Sequence, residues 1–149
     1  MNLDDFSERM EDLAGRVTKG RATALRQVAL AVDQAEVLAT PVDTGEARSN
    51  WVMSIGSPVT NMIGPYVPGE RLGVEETANA LAAITQASAI VSSVRPGDTI
   101  YLSNNASHML YLNRDGISPQ ANAGFVQDAI RDALASFSGK FTIITEGLS

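Results

Sequence analysis

The sequence predicts an α+β fold in which a long N-terminal helix and two further helices pack on a small, mainly antiparallel β-sheet. An apolar residue recurs every seven positions through residues 3–38, and short segments of alternating apolar and polar residues follow it. The predicted order of elements is α-β-α-β-β-α-β. Because single domains span about 100–200 residues, we expect residues 1–149 to form one domain.

The first predicted element is one long helix over residues 3–38. The seven-residue repeat runs from Leu3 to Leu38, and Phe6 and Leu13 widen the apolar stripe. A helix of this length extends ~54 Å at ~1.5 Å per residue, whereas a domain of this size has a radius of gyration of ~15 Å. If the helix is unbroken, part of it must project, and its stripe must be covered by a partner.

A turn, a strand and a long loop follow this helix. Pro41 ends the helix because it has no N–H to donate. Residues 43–45, Asp-Thr-Gly, are typical of a turn, and alternation over 51–55 predicts a half-buried strand. Residues 56–73 are rich in Pro and Gly and predict an extended loop. This loop is either a flexible insert or a docking segment.

The remaining elements are a helix followed by a hairpin–helix–strand unit over 98–145. Helical spacing of apolar residues, strand alternation and the turn at 104–107 define them. The predicted elements are a helix over 74–94, strands over 98–104 and 108–113, a helix over 119–137 and a strand over 140–145.

The charge balance argues against a nucleic-acid-binding protein. Eleven basic and seventeen acidic residues give a net charge of −6, and binding to phosphates by counterion release requires clustered Lys and Arg. One such cluster exists on the first helix, and it comprises Arg16, Lys19, Arg21 and Arg26. Its simplest interpretation is a solvated helix face. A nucleic-acid or regulatory module that uses this cluster stays an alternative.

The sequence contains few residues that could form an active site. It has no Cys and one His, His108, so a tetrahedral site of four N or S ligands cannot form. No nucleophile elbow, P-loop or dinucleotide fingerprint is present. We therefore expect a non-enzymatic protein without metal or cofactor. As an alternative from another class, an enzyme would use an unfamiliar site around Asp43, Arg48, His108 and Asp115.

The sequence also predicts a soluble protein. The N-terminal residues 1–12 are acidic and lack the basic and apolar regions of a secretory signal. The most apolar stretch, residues 80–94, is interrupted by Thr, Gln and Ser, and it is shorter than the ~20 apolar residues of a membrane span. We expect no membrane partner.

Two segments resemble a known family. Residues 40–51 read TPVDTGEARSNW and follow a long helix. They resemble the P-V-D-T-G-x-[AL]-R-x-x-W signature of small neck and tail-completion proteins of tailed bacteriophages, the minor tail protein Z-like, head–tail joining group. Residues 103–116 and 118–126 resemble that family's N-N-x-x-Y-A hairpin and S-x-Q-A-P-x-G-[MF]-V segment. Together the two matches cover about a quarter of the chain, in the family's order.

The match has departures. His108 stands where the family has Tyr, Asn113 where it has Glu, and Asn122 where it has Pro. The loop over 56–73 and the helix over 74–94 lie outside the match, so no role for them follows from the resemblance.

The resemblance implies a structural subunit of the virion neck or tail, assembled in the host cytoplasm. Such subunits form rings, commonly hexameric, between head-closure or connector proteins and the tail tube or tail terminator proteins. DNA passes through the ring without sequence-specific binding. Within the motifs, Arg48 is suited to bind a carboxylate across an interface, and Trp51 is either an interface anchor or a core residue. The candidate interface and structural residues are Asp43, Thr44, Gly45, Arg48, Trp51, Asn105, Gln120 and Gly124.

Overall fold

The computed structural model describes residues 3–69 and 76–138, and it confirms the α+β class. Helices flank a small antiparallel sheet, and the first helix is by far the longest element. The elements in chain order are α1 (Leu3–Ala39), α2 (Glu46–Ser49), β1 (Trp51–Ile55), α3 (Glu76–Ser92), β2 (Ile100–Asn104), α4 (Met109–Asp115) and α5 (Phe125–Ala135).

Helix α1 is continuous over 37 residues, about 55 Å at ~1.5 Å per residue. Its C-terminal half packs against α3, α5 and β1, with Val37 fully buried. In its N-terminal half, residues 3–21 are exposed apart from the partly buried Leu13. The helix is therefore a core element at one end and a projecting element at the other.

The sheet joins strands that are distant in sequence. Within the described part of the chain it has two strands, and β1 pairs with β2 in antiparallel register from Trp51 opposite Asn104 to Ile55 opposite Ile100. Gln86 of α3 also binds β1: its side-chain amide donates to the Met53 carbonyl at 3.0 Å and accepts from the Met53 N–H at 3.2 Å. The helix thus completes hydrogen bonding at Met53.

The predicted hairpin of 98–104 and 108–113 is wrong in its second strand, because residues 109–115 form helix α4. The Asn104 side chain accepts a hydrogen bond from the Ala106 N–H at 3.1 Å and closes a turn directly after β2. Met109 and Leu112, three positions apart, are both buried on one helix face. Since β1 already pairs with β2, the segment after the turn is free to form a helix.

The predicted helix over 119–137 begins too early, because the observed helix starts at Phe125. Residues 119–124 form a connection in which the Gln120 side chain bonds to Val42. Gly124 has φ of +81°, a left-handed conformation that precedes the helix. The helix predicted over 74–94 is observed as α3, and the strand predicted over 140–145 lies outside the described residues.

The core combines small residues, chiefly Ala and Val, with a few large ones. Trp51 and Met53 alternate on β1 and are 6% and 1% exposed. Trp51 belongs to a cluster with Val37, Ala83 and Phe125, so α1, α3 and α5 meet around the indole. No helix in the described ranges has the length and apolar character needed to cross a membrane.

Candidate functional site

The turn between α1 and β1 is held by Arg48, which lies inside the chain. Its side chain is 4% exposed, and its guanidinium donates to the Thr40 carbonyl at 2.9 Å. The negative, C-terminal end of the α1 dipole stabilises a cation at this point. The guanidinium also satisfies a carbonyl that has no intrahelical partner at the helix end. The structure therefore places Arg48 in a position that closes α1 onto its following turn.

Trp51 is fixed to the same helix end by a relay through Thr40. The indole Nε1–H donates to the Thr40 hydroxyl at 2.7 Å, and that hydroxyl donates to the Glu36 carbonyl at 2.6 Å. Thr40 is 1% exposed, so both bonds are buried. An indole needs such a partner when buried, and the motif supplies it eleven residues earlier in the chain.

Gly45 is required by space as well as by backbone conformation. Its φ is +87°, and a Cβ atom added there would lie 2.4 Å from Nδ2 of Asn79. Asn79 is fully buried and accepts a hydrogen bond from the Ser49 hydroxyl at 2.8 Å. The turn at 43–45 therefore seats directly on α3.

Four side-chain amides each bind the N–H and the carbonyl of the main chain, in the manner of a neighbouring strand. Three of the four amides bind residues outside the sheet, and the six donor–acceptor distances in these three pairs are 2.7–3.0 Å. The pairs are Gln120 with Val42, Asn50 with Ile63, Asn79 with Val67, and Gln86 with Met53. Such pairing satisfies backbone groups of irregular segments that have no ladder of their own.

Gln120 joins the two sequence motifs in space. Its amide accepts from the Val42 N–H at 3.0 Å and donates to the Val42 carbonyl at 2.8 Å, across 78 positions of sequence. Asn105 in the second motif donates to the Val59 carbonyl at 2.9 Å. Gly124 has the αL geometry given above, and its N–H donates to the Asn113 carbonyl. The two motifs thus form one contiguous region.

Part of the 56–73 loop is attached to this region. Asn50 binds both main-chain groups of Ile63, and the Ser49 hydroxyl accepts from the Tyr66 N–H at 3.2 Å. Val67 is held by Asn79. Residues 63–67 therefore lie against the turn and α3.

A surface cleft of about 750 Å³ opens between the two motifs. Asp43, Thr44, Glu46, His108 and Gln120 contribute to its walls. His108 Nδ1 lies 3.5 Å from Glu46 Oε1, and no hydroxyl of a described residue hydrogen-bonds the imidazole. Residues 3–69 and 76–138 contain no cluster of three or more His, Asp or Glu side chains that could hold a metal ion.

The cleft collects some residues of the alternative enzyme site and not others. Asp43 and His108 line it, whereas Arg48 is buried on the Thr40 carbonyl. Asp115 is exposed and accepts two hydrogen bonds from Arg114, the shorter at 2.6 Å. That bond lowers the pKa of Asp115 and raises the pKa of Arg114. The four residues therefore do not converge on one point.

The four basic residues of the α1 cluster also have different surroundings. The Arg26 guanidinium donates to the Val94 carbonyl and connects α1 to the segment that follows α3. Arg16 pairs with Asp12 at 3.1 Å, one turn earlier. Lys19 and Arg21 lie on the exposed half of the helix. A continuous basic stripe is thus interrupted at Arg26.

The sequence analysis did not identify two buried carboxyl groups. Asp33 and Glu36 of α1 are both 0% exposed, and none of their four carboxyl oxygens hydrogen-bonds a group within the described ranges. Burial raises the pKa of Asp33 to about 7. Burial, and then the charge of Asp33, raise the pKa of Glu36 to about 8. The only signal in the sequence was their position on the apolar side of α1, next to Val37.

Comparison of the chain with protein-family models, with curated proteins and with solved structures finds no match.

Proposed function

We propose that this chain is a structural subunit of the neck or tail joint of a tailed bacteriophage virion. Copies of the chain form a ring, hexameric in our proposal, that links head-closure or connector proteins to the tail tube or tail terminator proteins. The ring acts by geometry: it seals the joint and leaves a channel for DNA. The proposal includes no catalytic residue and no cofactor.

The contact between the two motifs is the observation that carries this proposal. The motifs were recognised separately by resemblance, and Gln120 joins them through both main-chain groups of Val42. Arg48 and Trp51 both donate hydrogen bonds to Thr40 at the end of α1. The signature residues thus stabilise the turn against the helix, as expected in a structural protein that acts through its shape.

Exposed apolar side chains outside α1 supply surfaces for subunit contacts. Exposed large apolar residues occur on α3, on α4, in the connection after it and on α5, and apolar surface of this kind is available for contacts between subunits. These residues are Leu81, Leu110, Tyr111, Ile117, Ile130 and Leu134, each at least 36% exposed. A heterologous contact between two such patches, repeated by rotation, closes a ring.

The acidity of the chain is consistent with a channel for DNA. Six copies at −6 each would carry −36 formal charges. An acidic bore repels phosphates and lets a duplex slide, because the summed field of many charges acts over the whole channel. No site for sequence-specific DNA contact is needed.

The ring is tested by the mass of the assembled protein. Full-length chain, alone and mixed with head-closure and tail proteins, is measured by native mass spectrometry and by light scattering after size exclusion. We expect a closed oligomer, with a central channel in electron micrographs. Folded monomers that persist at high concentration with these partners present would contradict the proposal.

The position in the virion is tested by removing the subunit. Virions assembled without it should give DNA-filled heads that are not joined to tails in electron micrographs. Intact, joined particles would remove the chain from the joint. Restoration of joining by the supplied chain is the control.

The contact between Glu46 and His108 keeps an enzyme as a second candidate. The imidazole lies in the cleft, 3.5 Å from a carboxylate, with Asp43 on the same wall. In an enzyme, His108 would act as a general acid or base, oriented by Glu46. The variant His108→Gln separates the two candidates. If the chain is a scaffold, the variant should still join heads to tails. Loss of joining in a variant that is still folded would favour a catalytic role for His108.

A further inference from the structure

Strand β2 has an open outer edge in the described part of the chain. The Gly56 N–H donates to the Thr99 carbonyl at 2.9 Å, and bonded pairs alternate along an antiparallel ladder. The main-chain groups of Ile100 and Leu102 therefore point away from β1, and no bond within residues 3–69 and 76–138 satisfies them. Strand β2 has no Pro and no charged residue that would block pairing at such an edge.

The opposite edge of the sheet is closed at the same level. Met53 lies opposite Leu102 in the register, and its main-chain groups point away from β2. The Gln86 side chain accepts a hydrogen bond from the Met53 N–H and donates one to the Met53 carbonyl. A further strand can therefore be added beside β2 but not beside Met53 of β1.

The helices that cover the sheet show where this further strand fits. Helix α1 packs against both α3 and α5, which have little contact with each other, and α3 packs on β1. Ala29 and Leu30 of α1 pack on the same cluster as Ile100 and Leu102 of β2. The helices therefore lie side by side in the order α3, α1, α5. Helix α5 is on the β2 side, where the described residues place no strand beneath it.

Helix α5 has an open apolar row that matches this gap. Its buried row consists of Phe125, Ala129 and Ala133. Ile130 and Leu134, four positions apart on one face, are 36% and 48% exposed. This second row lies about 100° from the first around the helix axis. A helix with two adjacent apolar faces packs against two neighbours, and α1 is one of them.

The chain leaves α5 at the level where β2 begins. Helix α5 starts beside the end of α1, because Phe125 clusters with Val37. Since α1 ends at Ala39, α5 must run back along it toward lower residue numbers. The 11 residues of α5 span about 16 Å, which reaches the level of Ala29. At that level Ile100 begins β2.

We propose that residues 140–145 of the same chain form a third strand, parallel to β2, on this open edge and beneath α5. They lie outside the described residues, shortly after Ser138, and read KFTIIT. The stretch 141–145 consists only of aromatic and β-branched residues, which favour strands, and it matches the 5 residues of β2 in length. Parallel strands require a long, usually helical connection, and α4 and α5 supply it.

The third strand explains both open features. The main-chain groups of Ile100 and Leu102 gain partners, and the side chains of the strand cover Ile130 and Leu134. The sheet edge is then closed within one subunit and cannot pair with the edge of another copy. This pairing goes beyond the proposed neck function and does not depend on it, so the failure of one proposal leaves the other standing.

Residue-resolved hydrogen exchange of the full-length protein tests the pairing. We expect the Leu102 N–H to exchange slowly, although no described residue accepts a hydrogen bond from it. In the variant Thr142→Pro/Ile143→Pro, which removes two consecutive donors from the strand, its exchange should accelerate by about tenfold or more. The Tyr101 N–H points toward β1 and should stay slow in both proteins, which shows that the sheet is intact.

Gly147→Pro is the matched control, because it introduces Pro outside residues 140–145. It should leave the Leu102 N–H slow. Equal exchange rates for Leu102 in the wild type and in the Thr142→Pro/Ile143→Pro variant, whether both are fast or both are slow, would overturn the proposal. Protection that disappears on dilution would overturn it too, because the edge would then be occupied by another copy.

A second measurement tests the cover over α5. In urea unfolding at low protein concentration, Leu134→Ala should lower the midpoint by roughly 0.5–1 M, since the strand buries Leu134. Leu81→Ala on α3, where the side chain is 65% exposed, is the matched control and should leave the midpoint nearly unchanged. In the Thr142→Pro/Ile143→Pro background, Leu134→Ala should have no further effect. Equal midpoints for the two single Leu variants would show that residues 140–145 do not cover α5.

Discussion

The two halves of α1 share one apolar repeat and have opposite surroundings. In the C-terminal half, Val37 is buried among α3, β1 and α5, and Arg48 and Trp51 are bonded to the helix end. In the N-terminal half, Leu3 and Phe6 face solvent. The repeat is therefore compatible with both burial and exposure, and the rest of the chain determines which half of the helix is buried.

The difference also concerns the polar residues that accompany the repeat. Asp33 and Glu36 are fully buried, whereas Asp4 and Glu11 in the other half are exposed. The same residue types are thus solvated at one end and desolvated at the other. The variants below test whether the buried half determines stability.

The largest contrast is expected between Trp51 and Phe6, one aromatic residue in each environment. Trp51→Ala should lower the free energy of unfolding by about 3–5 kcal/mol, because it leaves a cavity among α1, α3 and α5. Phe6→Ala should change it by about 0.5 kcal/mol or less, as at most exposed sites. Urea denaturation at low protein concentration measures both.

Trp51→Phe is the control within the buried site. It keeps most of the apolar volume but leaves the buried Thr40 hydroxyl without its indole donor. We expect a loss of about 1–2 kcal/mol. Equal losses for Trp51→Ala and Phe6→Ala would mean that the two halves of α1 do not differ as described.

The sequence predicted the elements that are determined locally. The length of α1 follows from its repeat, its end from Pro41, and β1 from alternation around Trp51 and Met53. The second strand of the hairpin was predicted wrongly, because β2 found its partner in β1, about fifty residues earlier in the chain. Pairing partners depend on tertiary contacts, which the alternation of one segment does not contain.

The contacts of the candidate site residues did not follow from the sequence. Arg48, Trp51 and Gln120 were identified, but their bonds to Thr40 and Val42 were not. Asn79 was missed altogether, since a polar residue on a helix is usually solvated. Its role depends on the Gly45 turn that meets it in the folded chain.

The pH dependence of stability provides the second test. Because the pKa values of Asp33 and Glu36 are raised to about 7 and about 8, the folded chain holds protons that the unfolded chain releases above pH 4–5. Their stabilising contribution is full below the unfolded pKa values and is lost as pH rises through 7 and 8. Between pH 5 and 7 each carboxyl group loses about 1.4 kcal/mol per pH unit, so the contribution of the two together should fall by about 4–5 kcal/mol.

The double variant Asp33→Asn/Glu36→Gln should remove this slope. Asp115→Asn is the control: its carboxyl is exposed, and its pKa is lowered rather than raised, so it should leave the slope between pH 5 and 7 unchanged. Chemical denaturation at several pH values gives the curves. A wild-type slope that persists in the double variant would assign the pH dependence to other groups.

The smallest effect, and the sharpest in geometry, is expected at glycines. Gly45→Ala should cost about 2–3 kcal/mol, since left-handed backbone costs ~1–2 kcal/mol for a residue with a Cβ and the new methyl would displace the buried Asn79. Gly56→Ala, with φ of +85° and open space around it, should cost about 1 kcal/mol. Gly15→Ala, in the exposed half of α1, should stabilise by up to about 1 kcal/mol, because Ala favours helix more than Gly does. Thermal unfolding of the three variants ranks them, and a Gly45→Ala cost no larger than that of Gly56→Ala would show that the contact between the turn and α3 contributes little.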